Sequence, residues 1–511
     1  MKNRKKYYSW LIIFLLVVFK AYIIFWQFRK FNLLVPPSPD LFNHLRMIDE
    51  VLAGRYIYDY PPLFHWIISI ASHLTGSEPL VVLRAIAPFW LLLPIYPFYI
   101  LSRSMFGWRV AFWATSVFIM VSANPLLNFG DAQYPDILAY NLIAPFYLLF
   151  LIKTVRSGNY WYFIPTVGLF LLTLIAHHFT SALMLAVTLV SLAGYAMYSY
   201  CNCRKKELKK IFIIFGLFAA SAIPIYILAR IFFGNFLSVV IGGLFHTRLE
   251  TDAPIHKVLD LSEISYVLAP FLQFIGFAGL VWIFIKIPRM KRNVFPAILM
   301  LSWVVLFWIM SRSSFFYLPQ RVLREISFPL CIASGFFAVS TVNLLEKQWH
   351  ELLFFAVFSY LIVINSVQLY QKPFLLPDGF RYMSWFTAED QQKYEYITNN
   401  LKENCVIATN QSNPILQYKL QKSGCSVTDI HNIVKNEKVD KNNIGTFIKQ
   451  ARVRYLFIGV MPKFTPADVY YTQFGSYEYA TELLNMYPYN ESDVVKEFSD
   501  GSKIIVVSRT D

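Results

Sequence analysis

The sequence predicts a polytopic α-helical membrane protein that carries a C-terminal α/β domain. Three observations predict it. Apolar runs of 18 or more residues recur up to about residue 370, each long enough to cross a bilayer as a helix. Only 15% of the 511 residues are charged and 56% are hydrophobic, whereas a soluble domain is about one-quarter charged. Beyond residue 370 the composition changes: residues 371–511 hold 16 of the 46 Lys+Arg and 16 of the 31 Asp+Glu. The net charge of +15 therefore belongs to the apolar part. There it reads as membrane topology and not as a nucleic-acid surface.

The elements follow in order. Spans are predicted near residues 9–27, 80–101, 108–123, 137–152, 160–176, 180–200, 211–232, 264–285, 294–311, 323–343 and 351–370. Basic clusters at Lys2–Lys6, Arg103/Arg109, Lys153/Arg156, Arg204–Lys210, Lys286–Arg292 and Lys347 fall at every second junction, as the positive-inside rule requires. Eleven spans with a cytoplasmic N-terminus put the C-terminal domain outside the cell membrane. The first span keeps its basic flank without a small-residue cleavage site, unlike a removed signal peptide. Between the first two spans, residues 28–79 hold two short helices. In "DLFNHLRMIDEVLAG", Leu41, Leu45, Ile48 and Leu52 share one face and Gly54 supplies a stop. This helix is too short to span and is predicted to lie along the interface. "PPLFHWIISIASHLTG" starts on prolines and ends at Gly76.

Residues 371–511 read as a separate domain. Thr387 and Asp390 open a helix in "TAEDQQKYEYITNNL" with a capping box. "CVIATN", "CSVTDI", the end of "IGTFIKQARVRYLFIG" and "KIIVVSR" read as strands that alternate with helices, which favours a mostly parallel sheet. No Gly-rich phosphate loop, nucleophile elbow or zinc motif occurs in it. Cys405 and Cys425 each open a strand, and a disulfide between them is compatible with the spacing without being deducible from it. Cys201 and Cys203 precede a basic run, as an incidental pair or a lipidation site.

Chemistry-bearing residues gather at the outer ends of the spans. Asp40, behind "PPSP", reads either as a helix N-cap or as a ligand for a divalent cation. In "NFGDAQYPDILAY", Asp131 and Asp136 bracket a second acidic segment with the same two readings. Two acids at a membrane mouth suit a hard cation such as Mg or Mn, which would neutralise charge on a lipid phosphate. His177 and His178 end the fifth span; on a helix at most one can face a site, the other reading being an interfacial anchor. Arg321 and Arg324 stand at the outer start of the tenth span, against the positive-inside rule. They suit a phosphate, with His178 as a further contact, and Glu325 is the alternative partner. The long segment 233–263 adds Glu250 and Asp252 as loop candidates, and His44 joins them from the first loop. Lys20 is the clear ionisable residue deep in a span.

With these residues in view, "PDLFNHLRMIDEVLAGRYIYDYPPLFHWIISIASHLTG", Arg84 in "VLRAIAPFW" and "SMFGWRVAFWAT" resemble the opening of GT-C type integral-membrane glycosyltransferases. "GDAQYPDIL" is similar to the second acidic motif of the oligosaccharyltransferase-like branch, and "PQRVLREISFPLCIASG" to its Arg segment. The resemblance covers roughly residues 10–345. It implies an inverting transfer from a polyprenyl-phosphate or polyprenyl-diphosphate sugar on the outer face, to a glycan, lipid or protein acceptor. It implies that Asp40 is the first-loop catalytic acid, as base or metal ligand. Asp136, with Asp131, is then the second motif and Arg321 the donor-phosphate contact. Two departures bear on the acceptor: Tyr134-Pro135-Asp136 replaces an acid-x-acid pair, and no "WWDYG"-like motif follows. They favour a monosaccharide transferase over protein N-glycosylation. Such chemistry needs one carboxylate to take a hydroxyl proton and one positive group for the departing phosphate. The alternative, a transporter or flippase of lipid-linked or small substrates, would be expected to show mid-membrane charges and matching halves. No halves match.

Overall fold

The computed structural model describes residues 2–30, 41–55, 60–130, 133–233, 258, 264–290, 292–313, 319–345, 347–371, 386–401, 405–410, 414–430, 443–459, 481–487 and 489–507. Two compact units emerge. One comprises residues 1–27, 47–251 and 255–375; the other comprises residues 28–46, 252–254 and 376–511.

The first unit is helical. Its elements are α1 (Lys2–Lys30), α2 (Leu41–Leu52, which begins in the second unit's span of sequence), α3 (Leu63–Thr75), α4 (Pro79–Leu92), α5 (Ile95–Phe106) and α6 (Trp108–Met120). They continue as α7 (Tyr134–Ser157), α8 (Tyr160–Ala176), α9 (His178–Cys201), α10 (Lys205–Phe233) and α11 (Leu272–Arg289). The unit closes with α12 (Val294–Ser311), α13 (Pro319–Val342) and α14 (Gln348–Gln371). Among the described residues, nine helices are long and apolar enough to cross a membrane; α6 and the Tyr160–Ala176 segment are apolar but shorter. At 1.5 Å per residue the 13 residues of α6 reach about 20 Å, short of a ~30 Å hydrocarbon core.

Burial orders these helices. α13 is the central one, 83% buried in its apolar window, whereas α10 is 11% buried and turns Phe212, Ile223 and Ile231 outward. Outward apolar side chains are what a lipid-facing helix presents. α13 touches α6 closely: a Cβ on Gly335 would lie 2.6 Å from the Ala114 nitrogen and the Val110 carbonyl oxygen. Small residues at such crossings let helix backbones meet. Below the N-terminal end of α13, Phe98, Phe118, Tyr140, Trp303 and Phe328 pack ring on ring, with centroids 4.3–6.0 Å apart. Lys20 is buried beside them, its ammonium 5.6 Å from the Phe118 ring. At the far end of α7, Arg156 donates to the carbonyls of Ser104, Met105 (3.0 Å) and Arg292 (3.1 Å) and to Asn293 Oδ1 (2.7 Å). One guanidinium fork thus caps the end of α5 and ties it to the turn before α12.

The two loop helices form as expected, ending at Gly54 and Gly76 with φ of +74° and +63°. Leu41, Leu45 and Ile48 are buried, but Leu52 is 42% exposed and leaves the shared face in the last turn. Ser69 of α3 donates to the Ile48 carbonyl of α2 at 3.3 Å.

In the second unit, α15 (Ala388–Asn400) carries the Thr387/Asp390 capping box. The strands are β1 (Val406–Thr409), β2 (Ser426–Asp429), β3 (Tyr455–Ile458), β4 (Val494–Glu497) and β5 (Lys503–Val506), in spatial order β2-β1-β3-β5-β4. β1 runs parallel to β2 and β3, while β5 runs antiparallel to β3 and β4. The sheet is therefore mixed, and β4 is a strand the sequence reading missed. α16 (Pro414–Lys422) and α17 (Ile444–Gln450) connect the parallel strands. Cys405 and Cys425 form a disulfide that ties the starts of β1 and β2 across 20 residues. Closing a loop of that size removes about 3 kcal/mol of unfolded-chain entropy in the chain-entropy account.

Candidate active site at three helix starts

Three helices of the first unit begin beside one another. α7 starts after Gln133, α9 after His177, and α13 at Pro319. Helix starts leave backbone N–H groups unpaired and carry a positive dipole end. Pro135 in the first turn of α7 costs no hydrogen bond there. His177 caps α9, its Nδ1 accepting from the Thr180 amide at 3.3 Å.

Asp136 sits where the three meet. It is 0% exposed, and its side chain does not cap its own helix. Instead Oδ2 accepts from Asn128 Nδ2 at 2.8 Å and Oδ1 accepts from Thr180 Oγ1 at 2.5 Å. His177 Nδ1 lies 2.7 Å from Thr180 Oγ1 and 3.2 Å from Asp136 Oδ1. A buried carboxylate survives only with such donors around it. The capping reading of Asp136 is thus replaced by a side-chain network spanning two helices. A π-helical stretch, Ile137–Ile143, follows at once; such stretches recur at functional sites.

Arg321 faces this network. Its Nε donates to Gln133 Oε1 at 3.0 Å, and its charge acts on Asp136, His177 and His178. Arg321 is half-buried, whereas Arg324 is buried, 8% exposed. The two arginines expected to work together therefore differ in access. Among the described residues Glu325 forms no ion pair with either, so it is not the simple partner the sequence suggested. It is fully buried. Of the two imidazoles, His177 joins Asp136, while His178, the one expected to contact phosphate, is half-buried with its ring centroid 5.7 Å from that of His177.

Asp40, Asp131, Glu250 and Asp252 lie outside the described residues. His44 is buried on α2. Each oxygen of Asp136 accepts one hydrogen bond from a protein donor and keeps a second lone pair. Among the described residues no three His, Cys, Asp or Glu side chains cluster as metal ligands. Sequence reasoning missed Asn128, Gln133 and Thr180, and left open which of His177 and His178 faces the site. The hydroxyl of Thr180 in "HHFTSA" was the available signal, being a helix-start residue next to a histidine pair.

No family model and no curated protein sequence matches the chain. Solved structures do. The apo oligosaccharyltransferase of Archaeoglobus fulgidus superposes with a TM-score of 0.55 at 13% identity, over 89% of this chain and 70% of that one. ArnT from Cupriavidus metallidurans gives 0.52 at 13% identity, over 98% of both chains. The mycobacterial arabinofuranosyltransferase AftD gives 0.55 at 13% identity, over 97% of this chain and 40% of that one. The fold is GT-C-like. All three neighbours are GT-C glycosyltransferases. The A. fulgidus protein has been solved with an inhibitory peptide and a dolichol-phosphate, and ArnT with undecaprenyl phosphate. A GT-C-like chain of this kind is a polytopic membrane protein with a C-terminal domain, which matches the two units described above.

Proposed function

We propose that the protein is a membrane glycosyltransferase. It moves a sugar from a polyprenyl-phosphate or polyprenyl-diphosphate lipid to a glycan, lipid or protein acceptor on the extracytoplasmic face, with inversion at the anomeric carbon. The observation that carries this reading is the half-buried Arg321 at three converging helix starts, beside the buried Asp136 network. A guanidinium and helix N-termini together suit a phosphate dianion. The lipid phosphates bound by the GT-C-like neighbours, dolichol-phosphate and undecaprenyl phosphate, fit the same chemistry.

In the reaction an acceptor hydroxyl oxygen attacks the anomeric carbon, and the bond from that carbon to the phosphate oxygen breaks. The hydroxyl proton passes to a carboxylate, the role the resemblance gives Asp40. The departing phosphate's charge is met by Arg321, with His178 beside it. Asp136 orients this group of residues without touching substrate. A Mg or Mn ion would rest on Asp40, Asp131 and Asp136 and would neutralise charge on the departing phosphate. The Cys405–Cys425 disulfide supports an extracytoplasmic C-terminal unit, because such bonds persist in oxidising compartments.

The test is binding of undecaprenyl phosphate to the full-length protein in nanodiscs. Arg321→Ala is expected to weaken binding at least about tenfold, equivalent to ~1.4 kcal/mol, while Asp40→Asn leaves it within about twofold. Equal affinity in wild type and Arg321→Ala would remove the phosphate assignment.

A further inference from the structure

Gln133 stands immediately before α7, is 8% exposed, and has no task in the reaction above. A polar residue at a helix start ordinarily turns its side chain back to the unpaired N–H groups of the first turn. Gln133 makes no such cap. Its Oε1 accepts instead from Arg321 Nε at 3.0 Å, across 188 positions of sequence. The backbone that carries this amide is tied on both sides. Its N–H donates to the Asn128 carbonyl at 2.7 Å, and its own carbonyl accepts from the Ile137 N–H at 3.0 Å. Asn128 is 0% exposed and also donates from Nδ2 to Asp136 Oδ2 at 2.8 Å. One buried asparagine thus sets both the buried carboxylate and the amide that holds the arginine.

A guanidinium offers two edges to a partner with two oxygens: Nε with one Nη, or Nη1 with Nη2. With Nε given to Gln133, the second edge remains, and among the described residues no protein acceptor takes it. That edge matches the two non-bridging oxygens of one phosphate. The holder is also a neutral amide. It fixes the direction of the guanidinium without supplying a counter-charge, so the cation keeps its full attraction for an anion. A competing acceptor is near, because the Asp136 carboxylate feels the Arg321 charge. A guanidinium released at Nε would turn towards it.

We propose that Gln133 is the positioning residue for Arg321: its side-chain carbonyl takes Nε, turns the Nη1–Nη2 edge to the lipid phosphate and keeps the arginine from pairing with Asp136. This inference rests on the lipid-phosphate reading above.

The test is a double-mutant cycle on the full-length protein in nanodiscs, read as affinity for undecaprenyl phosphate. Gln133→Leu removes the acceptor and is expected to weaken binding about threefold or more. In the Arg321→Ala background the same substitution is expected to change affinity by less than about twofold, because Gln133 acts only through Arg321. A change that merely loosened the fold would weaken binding in both backgrounds. Gln133→Asn keeps an amide but withdraws it by one methylene, beyond hydrogen-bond reach of Nε; it is expected to lose as much as Gln133→Leu and decides the matter where the Leu variant misfolds. With wild-type binding intact and dependent on Arg321, a loss below about threefold in the Gln133 variants overturns the positioning role, and so does an equal loss with and without Arg321. Failure of the wild type to bind, or equal affinity in wild type and Arg321→Ala, overturns the lipid-phosphate reading itself and the positioning role with it.

Discussion

Asp136 is buried at a cost that its three neighbours offset, and Thr180 supplies the shortest of those bonds. Thr180→Val keeps the side-chain shape and removes the hydroxyl, leaving Oδ1 of a buried carboxylate one donor short. Losing such a bond costs about 1–3 kcal/mol, so the thermal midpoint in detergent falls by several degrees. An unchanged midpoint would mean that the hydroxyl does not bond Asp136. At this scale the sequence showed the charges and not their partners. Asp136 and Arg321 stood out because acids, prolines and a topology-breaking arginine are visible in one dimension. Asn128 and Gln133 did not, since both are uncharged amides, and the Gln133–Arg321 bond spans nearly two hundred residues. The histidine pair was legible as a pair, but the sharp turn before α9 decides which ring points inward, and that turn has no sequence period.

Single elements show why some calculations from pattern succeed and others do not. The capping box of α15 is local and was readable; β4 was not, because its four residues are mostly exposed and lack apolar alternation. The Asp500-Gly501 pair before β5 was the available hairpin signal. Asp500 also has a measurable role in that hairpin. Burial pushes its carboxyl up, but hydrogen bonds from Lys393 at 2.6 Å and from Ser502 outweigh it and hold the group below the ordinary carboxylate range. A group whose folded value is depressed stabilises the fold above its unfolded value, near pH 3.9, and loses that contribution as pH falls through the folded value. Amide exchange at Lys503–Val506 in the full chain, corrected for intrinsic rates, is therefore expected to lose protection below about pH 4. Asp500→Asn is expected to reduce that pH dependence. The same acid sensitivity in both proteins would assign it elsewhere.

Across the whole molecule, composition and hydropathy carried the membrane class and the change of character near residue 370, because those signals are summed over many residues. Each of the eleven predicted spans falls on an apolar helix, yet two of these are too short for the length criterion among the described residues. Periodicity marks where a helix is apolar, not how deep it reaches. The mixed sheet departs from the expected parallel one because strand direction at its edge is set by the final hairpin. The GT-C-like fold, the converging helix starts and the Asp136 network together lead to one central claim, that the protein consumes a lipid-phosphate sugar. The most direct measurement uses the full-length protein in vesicles with a panel of polyprenyl-phosphate monosaccharides carrying radiolabel in the sugar. Wild type is expected to release free polyprenyl phosphate from one donor and move the label into acceptor, and Asp40→Asn is expected to release none. Consumption of no donor by wild type, or equal consumption by Asp40→Asn, would contradict the account.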